Sequence, residues 1–429
     1  DMSGDVFGNG MLLSKSIHLI AAFNHLHIFI DPTPTALDSW KERQRLFNLK
    51  RSSWLDYGPI SKGGGVFDRY SKEIKCSKEM KQLFDITTAT ISGEDLIKKI
   101  LCASNDLIWF GGIGTYIKSA SESHIDVGDP ANNSVRVDAS DVKSTVVSEG
   151  ANLAVTQKGR IEYETVGGRI NTDAIDNSAG VNMSDYEVNI KILLSTFQNQ
   201  NVVKNESERN HILEAATNEV TDLVLNNNIQ QHNLISMDQF RSIEQPFLID
   251  HSISDLIQLG LLNHLDEQIP TSKERQELYK QKIPLPRPVL AKCQAYVKMR
   301  IKDVLNQSKL FSGDIYDLIY HSYFPDTIKQ LVPKSEFPTH RLKGQIVSTE
   351  LTNYFVGIFG CATYELVTFS NQIPIDVAIH QLVLLEDIFN IRNQRSIALN
   401  EWQLDANAPG IFTLNRQILN ASLIVYFLN

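Results

Sequence analysis

Apolar residues recur along this chain with two periods, and the switch between them marks out the elements. Leu12, Leu13, Ile17, Ile20 and Ala21, at three- and four-residue spacing, predict a helix over residues 11–23. Residues 27–31, "HIFID", read as a short buried strand ending in an acid. Residues 93–103 are patterned as an amphipathic helix, 105–110 ("NDLIWF") as a strand, and 111–118 ("GGIGTYIK") as a loop. Another strand falls within 141–152, and "GGRINTDAIDNSAGV" (167–181) gives a last one leading into a loop. Strand, helix and strand with loops at the strand ends is the grammar of a parallel sheet. Ligands of such sheets sit at the carboxyl ends of the strands. Gly111 and Gly112, Asn152 of "EGAN" and Asn177 of "NSAG" all fall there.

Residues 33–85 interrupt this alternation with a helical stretch (38–47) and a turn-rich loop (50–67). The run Lys62-Gly63-Gly64-Gly65 lacks the Lys-Ser/Thr ending of a Walker phosphate loop and reads as a flexible turn. From residue 184 onward the pattern is helical. Ser184 with Glu187 three residues later reads as a capping box, opening a helix whose face is Tyr186, Ile190, Leu193, Leu194 and Phe197. A capping serine can still offer its hydroxyl to a carboxylate held at the positive helix end. Ile212, Leu213, Ala216, Val220, Leu223 and Val224 share the face of a further helix. Three prolines in "KIPLPRPVL" suggest a linker and a boundary near residue 280, with more amphipathic helices beyond, including 375–391.

The expected fold class is therefore α/β, a Rossmann-like parallel sheet whose first strand lies outside the chain, followed by a mainly helical C-terminal region. The expected domains are 1–185 with an insertion at about 33–85, a helical connecting region 186–280, and a helical domain 281–429.

Gly4, Gly8 and Gly10 cluster just before the first predicted helix, where backbone N–H groups could approach a pyrophosphate. Asp31, some twenty residues on, would accept a ribose 2′-OH and repel a 2′-phosphate, though Asp-Pro is equally a strand-ending turn. Asn152 and Asn177 each carry a donor and an acceptor suited to a carboxamide or ribose, and each could equally form an Asx-turn.

Composition narrows the partners. The net charge of −9 over 429 residues argues against a nucleic-acid surface, and the longest apolar stretches are too short and interrupted to span a bilayer. Cys76, Cys102, Cys293 and Cys361 are far apart and read as reduced thiols, consistent with a cytoplasmic location. His321, His340 and His380 are isolated in sequence, so no metal site is expected. The chain opens on Asp1 in a glycine-rich loop, and a fragment is expected.

"VVSEGANLAVTQ" followed by "DNSAGVNMSDYEV" resembles the nucleotide-binding domain of glutamate dehydrogenases, which carry an EGAN segment and an N-A-G-G-V-x-x-S-x-x-E segment in this order. "DMSGDVFGNGMLLS", "RSSW", "WFGGIGTYIKS" and the C-terminal "HRLKGQIVSTELTNYFVGIFG" look like the large, multidomain NAD-specific enzymes of bacteria. The resemblance implies NAD as cofactor and reversible oxidative deamination of L-glutamate to 2-oxoglutarate and ammonia, in a homo-oligomer. It places Gly8, Asn9 and Gly10 on the phosphate turn, Asp31 on the ribose acid, and Asn152 and Asn177 on the nicotinamide and substrate side. Ser184 falls on the serine that helps hold the side-chain carboxylate of glutamate. Val6, where the family has a glycine, and Ser178-Ala179, in place of Ala-Gly, depart from the pattern. The catalytic lysine and carboxylate of the family come from a domain preceding the nucleotide domain. No segment here matches it, so this chain alone is expected to bind NAD weakly and not to turn over glutamate. A dehydrogenase for another amino acid and a non-catalytic NAD-binding scaffold are the competing readings.

Overall fold

A computed structural model describes residues 9–368 and 372–389. The chain divides into two compact units, residues 1–178 with 286–288, and residues 179–285 with 289–429. Helices and both kinds of sheet are present, so the fold is broadly α/β.

The first unit contains nine strands among the described residues: β1 (Ala21–Phe23), β2 (His27–Ile30), β3 (Gly65–Asp68), β4 (Ile74–Lys75), β5 (Thr90–Ile91), β6 (Leu107–Phe110), β7 (Ile117–Lys118), β8 (Val137–Asp138) and β9 (Val146–Glu149). β1, β2 and β3 form an antiparallel sheet with β2 in the middle. Alternation along β2 feeds two cores. Ile28 and Ile30 join the main cluster with Leu96, Ile97 and Phe110, while Phe29 packs on the opposite side with Leu46, Trp54 and Tyr57. The Phe29 ring lies 4.8 Å from that of Trp54 and 4.5 Å from that of Tyr57. Phe29→Ala is expected to cost about 3–5 kcal/mol, since neighbouring aromatic rings relax little into the cavity. A fall in the urea midpoint checks this, and a loss of stability under about 1 kcal/mol would contradict it.

The helix expected over residues 11–23 does not form. Helix Asn9–Leu12 spans four residues, the chain then extends, and Ala21–Phe23 is strand. Asn24 decides this. Its side-chain oxygen accepts the backbone N–H groups of Leu26 (2.9 Å) and His27 (2.8 Å), closing a turn that folds β1 back on β2. Leu13, counted on the predicted helical face, is 88% exposed.

Parallel pairing appears later in the unit. β6 pairs with β9 from Leu107↔Val146 to Phe110↔Glu149, and Val146 bridges in parallel to Arg169. β7 pairs in parallel with β8, and Ile117 bridges to Val155. Helix Gly93–Leu101, capped by Ser92 accepting from the Asp95 N–H at 3.1 Å, buries Leu96, Ile97 and Leu101.

The second unit is helical among its described residues. Helix Ser178–Asn199 buries Ile190, Leu193, Leu194 and Phe197, as its periodicity predicts. Helix Glu206–Glu244 is capped by Asn205 and buries Ala216, Val220 and Val224 on the predicted face. Ser184 does not open a helix, because the helix has already begun at Ser178. The expected capping box is therefore absent: the Ser184 hydroxyl donates to the Gly180 carbonyl at 3.4 Å, and Glu187 pairs with Lys191. The small residues Ser178, Ala179 and Gly180 hide the true start by lacking an apolar period. No described helix is long and apolar enough to cross a membrane.

Candidate functional site

Three loops leave the carboxyl ends of the parallel strands in the first unit. Residues 111–116 follow β6, residues 150–155 follow β9, and helix Asp173–Asp176, ending on Asn177, follows the segment that bridges to β9 at Arg169. Their side chains and main chains meet. Asn177 Nδ2 donates to Asn152 Oδ1 at 2.5 Å. The Ala151 N–H donates to the Phe110 carbonyl at 2.9 Å, and the Thr115 hydroxyl to the Leu153 carbonyl at 2.7 Å. That pairing leaves one amide donor, Asn152 Nδ2, and one acceptor, Asn177 Oδ1, with no further bond among the described residues. A donor and an acceptor together are the complement of a carboxamide.

A buried ionic network fixes these loops. Arg160, on helix Gln157–Thr165, donates from Nε to Glu149 Oε2 at 2.7 Å and from Nη2 to Glu149 Oε1 at 2.9 Å. It also lies 3.3 Å from Asp173. Glu149 is fully buried and Arg160 nearly so. Burial pushes the Glu149 carboxyl up, and the guanidinium bound to both its oxygens opposes that shift. Each acid also holds main chain. Glu149 accepts the Val155 N–H (3.0 Å), Asp173 the Leu153 N–H (2.9 Å) and Asp176 the Glu149 N–H (2.9 Å). Leu153 is thereby held at φ 61, a conformation that few non-glycine residues adopt. Asp129 supports the first loop by accepting from the Thr115 N–H and from Asn132, both at 2.8 Å.

Arg160, Asp173 and Asp176 were not singled out by sequence. Their spacing from Glu149 is irregular, and only the charged residues of a segment otherwise poor in charge hinted at them. Gly111 and Gly112 lie where expected, in the loop after β6. Of the remaining candidates, Gly8 lies outside the described residues. Asn9 and Gly10 fall in a helix of only one turn, so no long helix dipole stands behind that turn. Asp31 is buried and accepts from the Ser61 N–H at 3.2 Å and from the Ser61 hydroxyl, and no hydrogen bond among the described residues joins it to the asparagine pair. Ser184 is exposed and belongs to the second unit.

Lys118 is buried against Asp138, and Lys62, 92% exposed, lies 3.6 Å from Glu79.

Loops gathered at the carboxyl ends of parallel strands place the first unit among α/β architectures. Residues 1–238 match the family model "Bacterial NAD-glutamate dehydrogenase, catalytic domain", and residues 282–406 match "Glutamate dehydrogenase, C-terminal". The chain is 42% identical over 400 residues to the NAD-specific glutamate dehydrogenase of Mycobacterium tuberculosis, covering 91% of this chain and 24% of that protein. It is 40% identical over 410 residues to the Pseudomonas aeruginosa protein of the same name (95% and 25%) and 41% over 362 residues to that of Halomonas elongata (84% and 22%). The chain belongs to the bacterial NAD-glutamate dehydrogenase family. It spans about a quarter of the length of the curated relatives it matches.

Proposed function

We propose that this chain serves the NAD-dependent oxidative deamination of L-glutamate to 2-oxoglutarate and ammonia, and that its first unit holds the nucleotide. The observation that carries this is the Asn152–Asn177 amide pair, whose remaining donor and acceptor suit a nicotinamide carboxamide. β9, helix Gln157–Thr165 and the parallel bridge at Arg169 make a βαβ unit, which supports a Rossmann-like reading of this part of the fold. Gly111 and Gly112, in the loop at the end of β6, are assigned to the cofactor. Gly8, Asn9 and Gly10 are assigned to the pyrophosphate. Asp31 keeps one carboxylate oxygen for a ribose hydroxyl while the other holds Ser61. The Ser184 hydroxyl, on an exposed side chain, is assigned to the substrate carboxylate.

NAD supplies the hydride acceptor. The chain's own residues orient the carboxamide and fix the loops against water. The resemblance to the family assigns the proton-transferring lysine and carboxylate to a substrate domain that precedes the nucleotide domain.

Absorbance at 340 nm, followed with L-glutamate and NAD on the protein as its cell makes it, tests the reading. Asn152→Ala and Asn177→Ala should each weaken NAD binding roughly tenfold, one lost hydrogen-bonding edge at about 1.5 kcal/mol. The double variant should lose little more than either single one, because the two amides act as a pair. Turnover of leucine, valine or phenylalanine in preference to glutamate, or no effect of either substitution, would overturn it.

A further inference from the structure

The proline-rich segment that reads as a linker is docked on the first unit. The chain leaves that unit after residue 178, runs through the second, and returns for residues 286–288 alone. Resting on the nucleotide-binding reading above, we infer that Arg287, in this returning segment, is a positioning residue for the nicotinamide subsite and sets the amide of Asn177 through Asn171 and Asp176.

Two lines of contact run from the segment to the asparagine pair. Along the first, Arg287 Nε donates to Asn171 Oδ1 at 2.7 Å, across 116 positions of sequence, and Asn171 Nδ2 donates to Asp176 Oδ1 at 3.1 Å. Asp176 uses its other oxygen to hold the Glu149 N–H, and it closes the short helix that ends on Asn177. Along the second, Gln157 Nε2 donates to the Pro288 carbonyl at 3.1 Å, while Gln157 Oε1 accepts from Arg160 Nη1 at 3.3 Å. Arg160 joins Glu149 to Asp173, and the Asp173 carboxylate holds the Leu153 N–H beside Asn152. One line reaches the loop of Asn177, the other the loop of Asn152.

Arg287 is itself held at both ends. It opens helix Arg287–Gln307, and its N–H, which has no partner within a helix at that position, donates to Glu164 Oε2 at 2.7 Å. Burial disfavours the charged guanidinium, and the carboxylates of Glu164 and Asp176 act against that. Asn171 is the sensitive link. Its oxygen faces a cation and its nitrogen an anion, so the amide has one favourable orientation, and that orientation ties Asp176 in place. Without the guanidinium the amide is free to turn, and Asp176 and the Asn177 it precedes lose their fixed position. The nicotinamide carboxamide would feel this, and the rest of the dinucleotide would not.

Calorimetric titration of the protein as its cell makes it, with NAD and with ADP-ribose (which lacks the ring), tests the inference. Arg287→Ala should weaken NAD on the order of fivefold and leave ADP-ribose unchanged. Arg287→Lys, which keeps the charge and one donor, should recover part of the loss. Asn171→Asp keeps the oxygen that Arg287 uses but removes the donor to Asp176, and should give the same selective loss with the segment still docked. In an Asn177→Ala background Arg287→Ala should cost little more, because its effect passes through that amide. Equal loss of NAD and ADP-ribose would show that Arg287 only supports the fold of the unit. Full additivity with Asn177→Ala, or unchanged NAD affinity, would show that no relay runs from it. Any of these results overturns the inference while leaving the nucleotide site intact. Failure of the unsubstituted protein to bind either ligand would overturn the nucleotide-binding reading and the relay with it.

Discussion

Arg160→Met is expected to release the loop after β9, costing about 3–5 kcal/mol locally, because it leaves Glu149 buried without its counter-charge. The loss would not stay at one residue. Arg160 bridges Glu149 and Asp173, and these two acids hold the Val155 and Leu153 N–H groups. Leu153 sits at φ 61, so once its N–H is released the backbone gains by leaving that conformation. Amide hydrogen exchange at Leu153 and Val155 is the measurement, with protection expected to fall roughly a hundredfold or more. Arg160→Lys should fall between the two, since an ammonium keeps the charge but cannot donate to both Glu149 oxygens in one plane. Adding Glu149→Gln to Arg160→Met should recover part of the loss by removing the stranded charge. Unchanged protection in Arg160→Met would mean that the ion pair does not hold the loop.

The second large effect concerns the helical unit. Gly360 ends helix Lys343–Phe359 at φ 65, ψ −144, a region open in practice to glycine alone. A Cβ there would fall on the carboxylate of Asp238, which is fully buried. That carboxylate accepts from the Cys361 N–H at 2.7 Å and Gln294 Nε2 at 2.8 Å, and is paired with Arg241, which in turn donates to the Phe359 carbonyl at 2.6 Å. Gly360→Ala must therefore either displace a buried charge from its partners or move the turn. About 3–5 kcal/mol is expected, a fall of roughly 10 °C or more in the melting of the helical signal. Gly344→Ala, at a position with open space around it in the same helix, should be neutral or slightly stabilising. Equal behaviour of the two variants would remove the Asp238 network from its structural role.

Part of this is legible in the sequence alone. Ile190, Leu193, Leu194 and Phe197 repeat at helical spacing, and they are buried on one helix face. "EGAN" and "NSAG" announced themselves by small residues and amides where neither helix nor strand would want them, and the structure brings Asn152 and Asn177 into contact. The errors have a common cause. The apolar residues of 11–23 fit a helix by periodicity, yet the Asn24 side chain closes a hairpin that periodicity cannot register. Ser184 and Glu187 fit a capping box by spacing, yet a helix that starts six residues earlier leaves Ser184 no free N–H groups to cap.

The sequence by itself determined the family and the helical character of the C-terminal half, because each rests on residue types in a local order. Only the tertiary structure decided which polar groups are left to bind. Asp31 has one oxygen taken by Ser61, the asparagine pair keeps a donor and an acceptor, and Arg160 ties together residues up to 24 positions apart, from Glu149 to Asp173. Hydrogen bonds and ion pairs are short-ranged in space and indifferent to separation along the chain. Their partners therefore become visible only once the chain has folded.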